Sequence, residues 1–236
     1  YIKYYKKINF KVSNFFSYNE ILKKKIKNKF KIITALSVFY DSEDPNKFLS
    51  DVQKALDDEG IFMLEHQDLL SIIKLKMFDT ICHEHLLYYS SKIIIEMASK
   101  NNLRVFDVMK NNINGGSVQY LICKTNSKYK TNNSSIKKIL NEEYQYKLES
   151  KRTFLKFFSE INQIKIKTKK LLDSIIKNKK IIHGYGASTK GNVLLQYFGI
   201  DQKYLKFISD RNPKKNNHYT PGTKIKIISE NKSRKL

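Results

Sequence analysis

With 236 residues and 41% hydrophobic content, the chain can build one large domain or two smaller ones with real cores, so it is not a disordered tail. Its formal charge of +23 invites a nucleic-acid reading, but only four of its 45 basic residues are arginine (Arg104, Arg152, Arg211, Arg234), the side chain favoured for bidentate phosphate and base contacts. The lysines run evenly through the chain, which reads as a solvated surface with no nucleic-acid or membrane partner; no run approaches the ~18 apolar residues of a spanning helix, and two cysteines without an export signal point to the cytoplasm.

The chain starts at Tyr1 rather than Met, and its first glycine is Gly60. It therefore reads as a fragment whose first quarter holds no nucleotide-binding glycine loop. Residues 1–30 are a Lys- and aromatic-rich lead-in, with a short helix expected over Tyr18 to Lys27. Lys31 to Phe39 reads as a buried strand, because β-branched and apolar residues run continuously. Asp44 and Pro45 open a helix as N-cap and first-turn proline, with Phe48, Val52, Ala55 and Leu56 on one face. The run Asp57-Asp58-Glu59-Gly60 is expected to end that helix, and Ile61 to Glu65 is a second buried strand, giving a parallel βαβ unit. After a loop from Phe78 to His85, Ser91 to Asn101 reads as a helix. Leu103 to Met109 and Val118 to Lys124 form an antiparallel hairpin through Asn114-Gly115-Gly116. Thr125 to Ser135 is polar and reads as a linker; Ile136 to Ile176 then keeps helical spacing without glycine or proline, as one helix or two in series. Lys180 to Gly186 is a strand entering a glycine turn, Thr189 to Phe198 a helix backed by Gly199, and Tyr204 to Ser209 a third strand of this second sheet.

The densest reactive cluster is Asp79-Thr80-Ile81-Cys82-His83-Glu84-His85. It supplies too few ligands for zinc, since position 87 is Leu87 and no paired Cys-x-x-Cys exists. Two readings stay open for it: a hydrogen-bonded structural loop, or a histidine general base whose tautomer an adjacent carboxylate, Glu84, fixes. The second segment, Gly184-Tyr185-Gly186-Ala187-Ser188-Thr189-Lys190-Gly191-Asn192, joins a strand to a helix. Its amides and the helix dipole suit a phosphate, although the spacing matches neither common phosphate-loop pattern, and a plain tight corner is the other reading. Asn114, Gly115 and Gly116 by themselves are a hairpin turn, and Asp210-Arg211-Asn212-Pro213 follows a strand.

In this order, and above all through Gly184 to Asn192 followed by Leu195-Gln196-Tyr197-Phe198-Gly199, the segments from about Lys31 to Ser229 resemble the SAM-dependent sugar C-methyltransferases. Those enzymes methylate a carbon beside the keto group of a nucleotide-linked deoxysugar. The resemblance implies an α/β fold: a partial class I methyltransferase-like sheet over residues 1–125, a helical connector over 126–178, and a second, Rossmann-like domain over 179–236, truncated at its end. It implies His85 as the base, with Glu84 and His83 beside it. Cys82 stands where the family usually has tyrosine, which alters how the sugar would be positioned. Cys82, Asn114, Gly115, Gly116, Tyr185, Gly186, Ala187, Ser188, Thr189, Lys190, Asn192 and Arg211 are then the implied substrate-binding residues, and Leu36, Ser37 and Val38 one side of the SAM site. The family's SAM glycine loop and N-terminal zinc-binding domain are not in this chain, so the isolated chain is expected to be inactive and zinc is expected only in that other domain. A non-catalytic nucleotide-sugar-binding module is the competing class.

Overall fold

A computed structural model describes residues 16–26 and 28–236. In chain order its elements are α1 (Tyr18–Lys23), β1 (Phe30–Leu36), α2 (Pro45–Ala55), β2 (Leu56–Gln67), α3 (Leu69–Leu75), α4 (Ser91–Lys100), β3 (Leu103–Asn111), β4 (Ser117–Lys124), α5 (Asn133–Gln145), α6 (Lys151–Lys177), β5 (His183–Tyr185), α7 (Thr189–Phe198), β6 (Phe207–Asp210), β7 (Lys226–Ser229) and α8 (Glu230–Ser233). The chain is mixed α/β in two units. The first holds the described residues up to Gln67 together with Tyr89–Glu142, and the second holds Asp68–Tyr88 and Glu143–Leu236. The division thus differs from boundaries at 125 and 178. The Asp68–Tyr88 excursion joins the second unit because Leu70, Ile72 and Ile73 of α3 bury in that unit's core. Residues 1–15, the start of the lead-in, lie outside the described residues.

In the first unit the sheet order is β1-β2-β4-β3, with β1 parallel to β2 and the remaining pairs antiparallel. Side chains alternate across the pleat, so Phe62 and Leu64 of β2 share one face with Tyr120 and Ile122 of β4, all fully buried. Leu49 and Val52 of α2 and Ile94 and Ala98 of α4 bury in the same core. Each large apolar side chain among them contributes about 1.5–3 kcal/mol of transfer free energy. At this depth Ser91 Oγ and Tyr120 OH hydrogen-bond at 3.0 Å. Asp44 caps α2 by accepting from the Lys47 amide, and Pro45 occupies its first turn, as their order predicts.

Three expectations change here. First, β1 is not buried: only Ala35 is, while Ile32 is 69% exposed, because among the described residues β1 pairs on one side alone. Second, Asp57 to Gly60 does not end a helix but begins β2. The acidic run stays extended because lysines flank it: Lys31 pairs with Asp57 at 2.8 Å, Lys124 with Asp58 at 2.7 Å, and Lys128 with Glu59. Third, the polar stretch after Thr125 is fastened down rather than loose. Arg104 donates to the carbonyls of Thr125, Ser127 and Tyr129 and to Thr131 Oγ1, and Tyr129 stacks on Phe106. The helical connector is two helices, broken at Lys147, whose φ of 54° no continuing helix accepts.

The second unit is a parallel sheet, β5-β6-β7. Its core gathers Leu195 and Phe198 of α7, Ile208, Ile225 and Ile227 around the sheet, and Phe157 and Ile161 of α6. β5 is only three residues long, and Tyr204 and Leu205 precede β6 in a turn whose amides donate to the Asp201 carbonyl. Among the described residues no helix is long and apolar enough to cross a membrane.

Gly60 marks the tightest approach in the first sheet, since a Cβ there would sit 2.7 Å from the Phe30 carbonyl oxygen and 2.8 Å from Leu56 Cδ1. Gly60→Ala is therefore expected to lower stability by about 1–3 kcal/mol through forced backbone movement. Urea unfolding would read this as a fall in midpoint, and an unchanged midpoint would contradict it.

Candidate active site

Two of the segments singled out by sequence fall in the same unit. The loop from Phe78 to Tyr88 and the glycine corner from His183 to Asn192 both belong to the second unit, whereas Leu36 to Val38 and Asn114 to Gly116 belong to the first.

The histidine loop is anchored by aromatic packing. Phe78 opens a short 3-10 turn and stacks on Phe198 of α7 with ring centroids 5.2 Å apart, and packs against Tyr197 at 5.3 Å. This sinks Thr80 to complete burial, so its polar groups need partners from the protein. The Thr80 carbonyl accepts from His85 Nδ1 at 2.8 Å and from Tyr88 OH at 3.2 Å. A carbonyl can only accept, so the 2.8 Å contact assigns the proton to Nδ1; Thr80 Oγ1, 3.2 Å from the same nitrogen, is then a second acceptor there, and the lone pair of the neutral imidazole lies on Nε2. The expected orienter, Glu84, does not do this. It is exposed, as is His83, while Cys82 is half-buried and its carbonyl accepts the His85 amide at 3.2 Å. Among the described residues no three His, Cys, Asp or Glu side chains gather in a metal-holding group.

At the glycine corner, Gly186 has φ of 90°, and its amide donates to the Ser209 carbonyl at 2.7 Å. Ser188 caps α7, its Oγ accepting from the Gly191 amide at 3.1 Å. The Ala187 amide is not available to an anion, because it donates to Asp210 Oδ2 at 2.9 Å. Lys215 Nζ closes the arrangement, 3.2 Å from that same oxygen and 2.7 Å from the Ala187 carbonyl. The amides of Thr189 and Lys190, in the first helical turn, meet no acceptor among the described residues, and the Lys190 ammonium meets no carboxylate there. Asn192 Oδ1 is buried without a donor among them. Arg211 lies at the end of β6 and pairs with Glu230 at 3.1 Å, and Tyr185 is 64% exposed.

In the first unit, Leu36 and Val38 are each about half exposed on either side of Ser37, whose φ is 55° and whose amide donates to the Glu65 carbonyl. Asn114 (φ 54°), Gly115 and Gly116 make the left-handed hairpin turn, with the Asn114 carbonyl accepting from Gln67 Nε2 at 2.8 Å. Sequence reasoning missed two groups: the carboxylate of Asp210, signalled by an acidic residue ending the strand after a glycine corner, and the buried Glu65 beside the Ser37 turn, which reads in sequence as an ordinary strand end.

The Asn212 amide, then Lys215 and the Ala187 amide, hold the Asp210 carboxyl below the usual carboxylate range. A depressed folded value stabilises the fold above the unfolded value near 4, and that stability is lost as pH falls through the folded value. Asp210→Asn is thus expected to be about 1–3 kcal/mol less stable than the parent at pH 7, with the gap closing below about pH 4. Melts at both pH values check it, and a gap that persists in acid would contradict it.

Residues 112–236 match the family described as the C-methyltransferase C-terminal domain. The chain is 27% identical over 199 residues to the C-methyltransferase NovU of Streptomyces niveus, a match covering 84% of this chain and 47% of NovU, so the chain spans about half of that relative's length. Among solved structures it is similar to a magnesium protoporphyrin IX methyltransferase from Synechocystis PCC 6803 with bound SAH (12% identity, 42% of this chain and 47% of that one, TM-score 0.34). Another is a S-adenosylmethionine-dependent methyltransferase from Clostridium acetobutylicum ATCC 824 (13% identity, 45% of this chain and 68% of that one, TM-score 0.33). Those overlays are partial, and the family assignment stands on the sequence match alone. Because that match takes in more than half of the chain, the chain belongs to the C-methyltransferase family.

Proposed function

We propose that the protein carrying this chain is a SAM-dependent methyltransferase that alkylates the carbon beside the ketone of a deoxysugar linked to a nucleoside diphosphate. The observation that carries the reading is the His85 ring, held by its Nδ1 proton on the Thr80 carbonyl so that Nε2 is the basic nitrogen. A carbon beside a ketone becomes nucleophilic only when its proton is removed, and a positioned imidazole is suited to that transfer. His85 Nε2 takes the proton. His83 and Glu84 flank it in the exposed part of the loop, and Cys82 borders the sugar where the family resemblance would place a tyrosine hydroxyl.

The diphosphate falls to the second unit's corner. With the Ala187 amide committed to Asp210, the anion is held by the Thr189 and Lys190 amides, the helix dipole and the Lys190 ammonium, with Arg211 beyond and Tyr185 and Asn192 beside it. Gly186 lets the backbone approach and Ser188 fixes the first turn. By the family resemblance Asn114, Gly115 and Gly116, a positive-φ turn of the first unit, are further substrate-binding candidates. Leu36, Ser37 and Val38 suit the adenosyl group of SAM, since two half-exposed apolar side chains flank a polar left-handed turn at the carboxyl end of β1, where open α/β sheets bind ligands. SAM, when bound, supplies the methyl group that the deprotonated carbon receives. Positioning is then the main part of the rate enhancement.

His85→Gln keeps the loop's size but removes the base. Methyl transfer from SAM to a nucleotide-linked keto-deoxysugar is expected to fall by about 10²- to 10⁴-fold in kcat, with nucleoside diphosphate affinity unchanged. Methylation at the parent rate would contradict the base assignment, and loss of diphosphate binding together with activity would point to a collapsed loop.

A further inference from the structure

Glu65 stands at the carboxyl end of β2 and is only 7% exposed. Its Oε2 accepts from Asn111 Nδ2 at 3.0 Å and from Gln119 Nε2 at 3.2 Å, while its Oε1 takes no hydrogen bond among the described residues. No lysine or arginine pairs with it there, in a chain with a formal charge of +23. The donors are themselves fixed: Asn111 Oδ1 accepts from the Ile113 amide at 3.0 Å, and Gln119 faces Glu65 across the β2–β4 ladder. A buried carboxylate without a cation is costly, and a glutamine at this position would satisfy the same two amides at lower cost. Stability alone therefore gives no reason for the charge, and proteins place such exceptions at functional sites.

The placement narrows the ligand. Glu65 pairs with Leu36 across the parallel β1–β2 ladder, and its own carbonyl receives the Ser37 amide, so it borders the rim assigned above to SAM and substrate. One oxygen saturated by planar amides and the other unclaimed make a fixed acceptor, and the group that meets it best is a hydroxyl donating to a charged oxygen. We infer that Glu65 is a ligand-binding residue whose Oε1 accepts a hydrogen bond from a sugar-ring hydroxyl. This rests on the proposed function, in which two sugar rings come to this rim: the ribose of the cofactor and the ring carried by the nucleotide.

Glu65→Gln separates the cases. In that variant the side-chain amide oxygen would take the two donors and leave an NH2 where the acceptor stood. Calorimetry with three probes, SAH, UDP and UDP-glucose, is compared for the full-length protein carrying this chain and its E65Q variant, alongside thermal melts of both. The expected result is an unchanged or raised Tm with about tenfold weaker binding of one sugar-bearing probe. A loss confined to SAH assigns the ribose hydroxyl, and a loss of the UDP-glucose advantage over UDP assigns the carried ring. A lowered Tm with all three affinities intact would make Glu65 purely structural and overturn the inference, as would an unchanged Tm with unchanged affinities. If the parent binds none of the probes, the proposed function fails and this inference falls with it.

Discussion

The chemistry attributed to this chain depends on one backbone carbonyl. Thr80 is driven under the surface because Phe78 locks into the aromatic end of α7, and a buried carbonyl must find donors. It finds the imidazole of His85 and the phenol of Tyr88. The tautomer of the proposed base is thus set by packing rather than by a neighbouring charge. The loop can therefore expose Glu84 and His83 without losing the geometry of His85.

A similar division of labour shapes the glycine corner. Its backbone has the form of an anion cradle, yet the innermost amide, that of Ala187, is closed off by Asp210, which Lys215 in turn neutralises. The internal carboxylate ties the corner between β5 and α7 together, so the proposed anion is left to the first turn of α7 and the Lys190 ammonium. In the first unit the corresponding rim is built differently. There a left-handed serine and a left-handed hairpin turn flank a buried carboxylate held by amides.

Much of this was legible before any coordinates. Asp44-Pro45 announced α2, Asn114-Gly115-Gly116 the hairpin, and Gly199 the end of α7, because capping and turn residues act locally. What escaped depended on contacts distant in sequence. The acidic run from Asp57 to Glu59 looks like a helix end until lysines from β1 and from β4 and the segment after it are seen to pair with it. Likewise α3 and the histidine loop sit in sequence between strands of the first sheet, and only the burial of Leu70, Ile72 and Ile73 reveals that they belong to the second core. Of the site, the residue types were readable and the partners were not. Nothing in Cys82-His83-Glu84-His85 says that a carbonyl five residues upstream outcompetes the adjacent carboxylate.

The most direct measurement is the nitrogen-15 NMR spectrum of the His85 side chain at a pH where the ring is neutral. A protonated, pyrrole-like Nδ1 with a pyridine-like Nε2 is the predicted result, and it should be lost when Phe78 is replaced by alanine and the loop loses its anchor. A proton residing on Nε2 in the intact protein would contradict the account, because the nitrogen assigned as base would then be the one unable to accept.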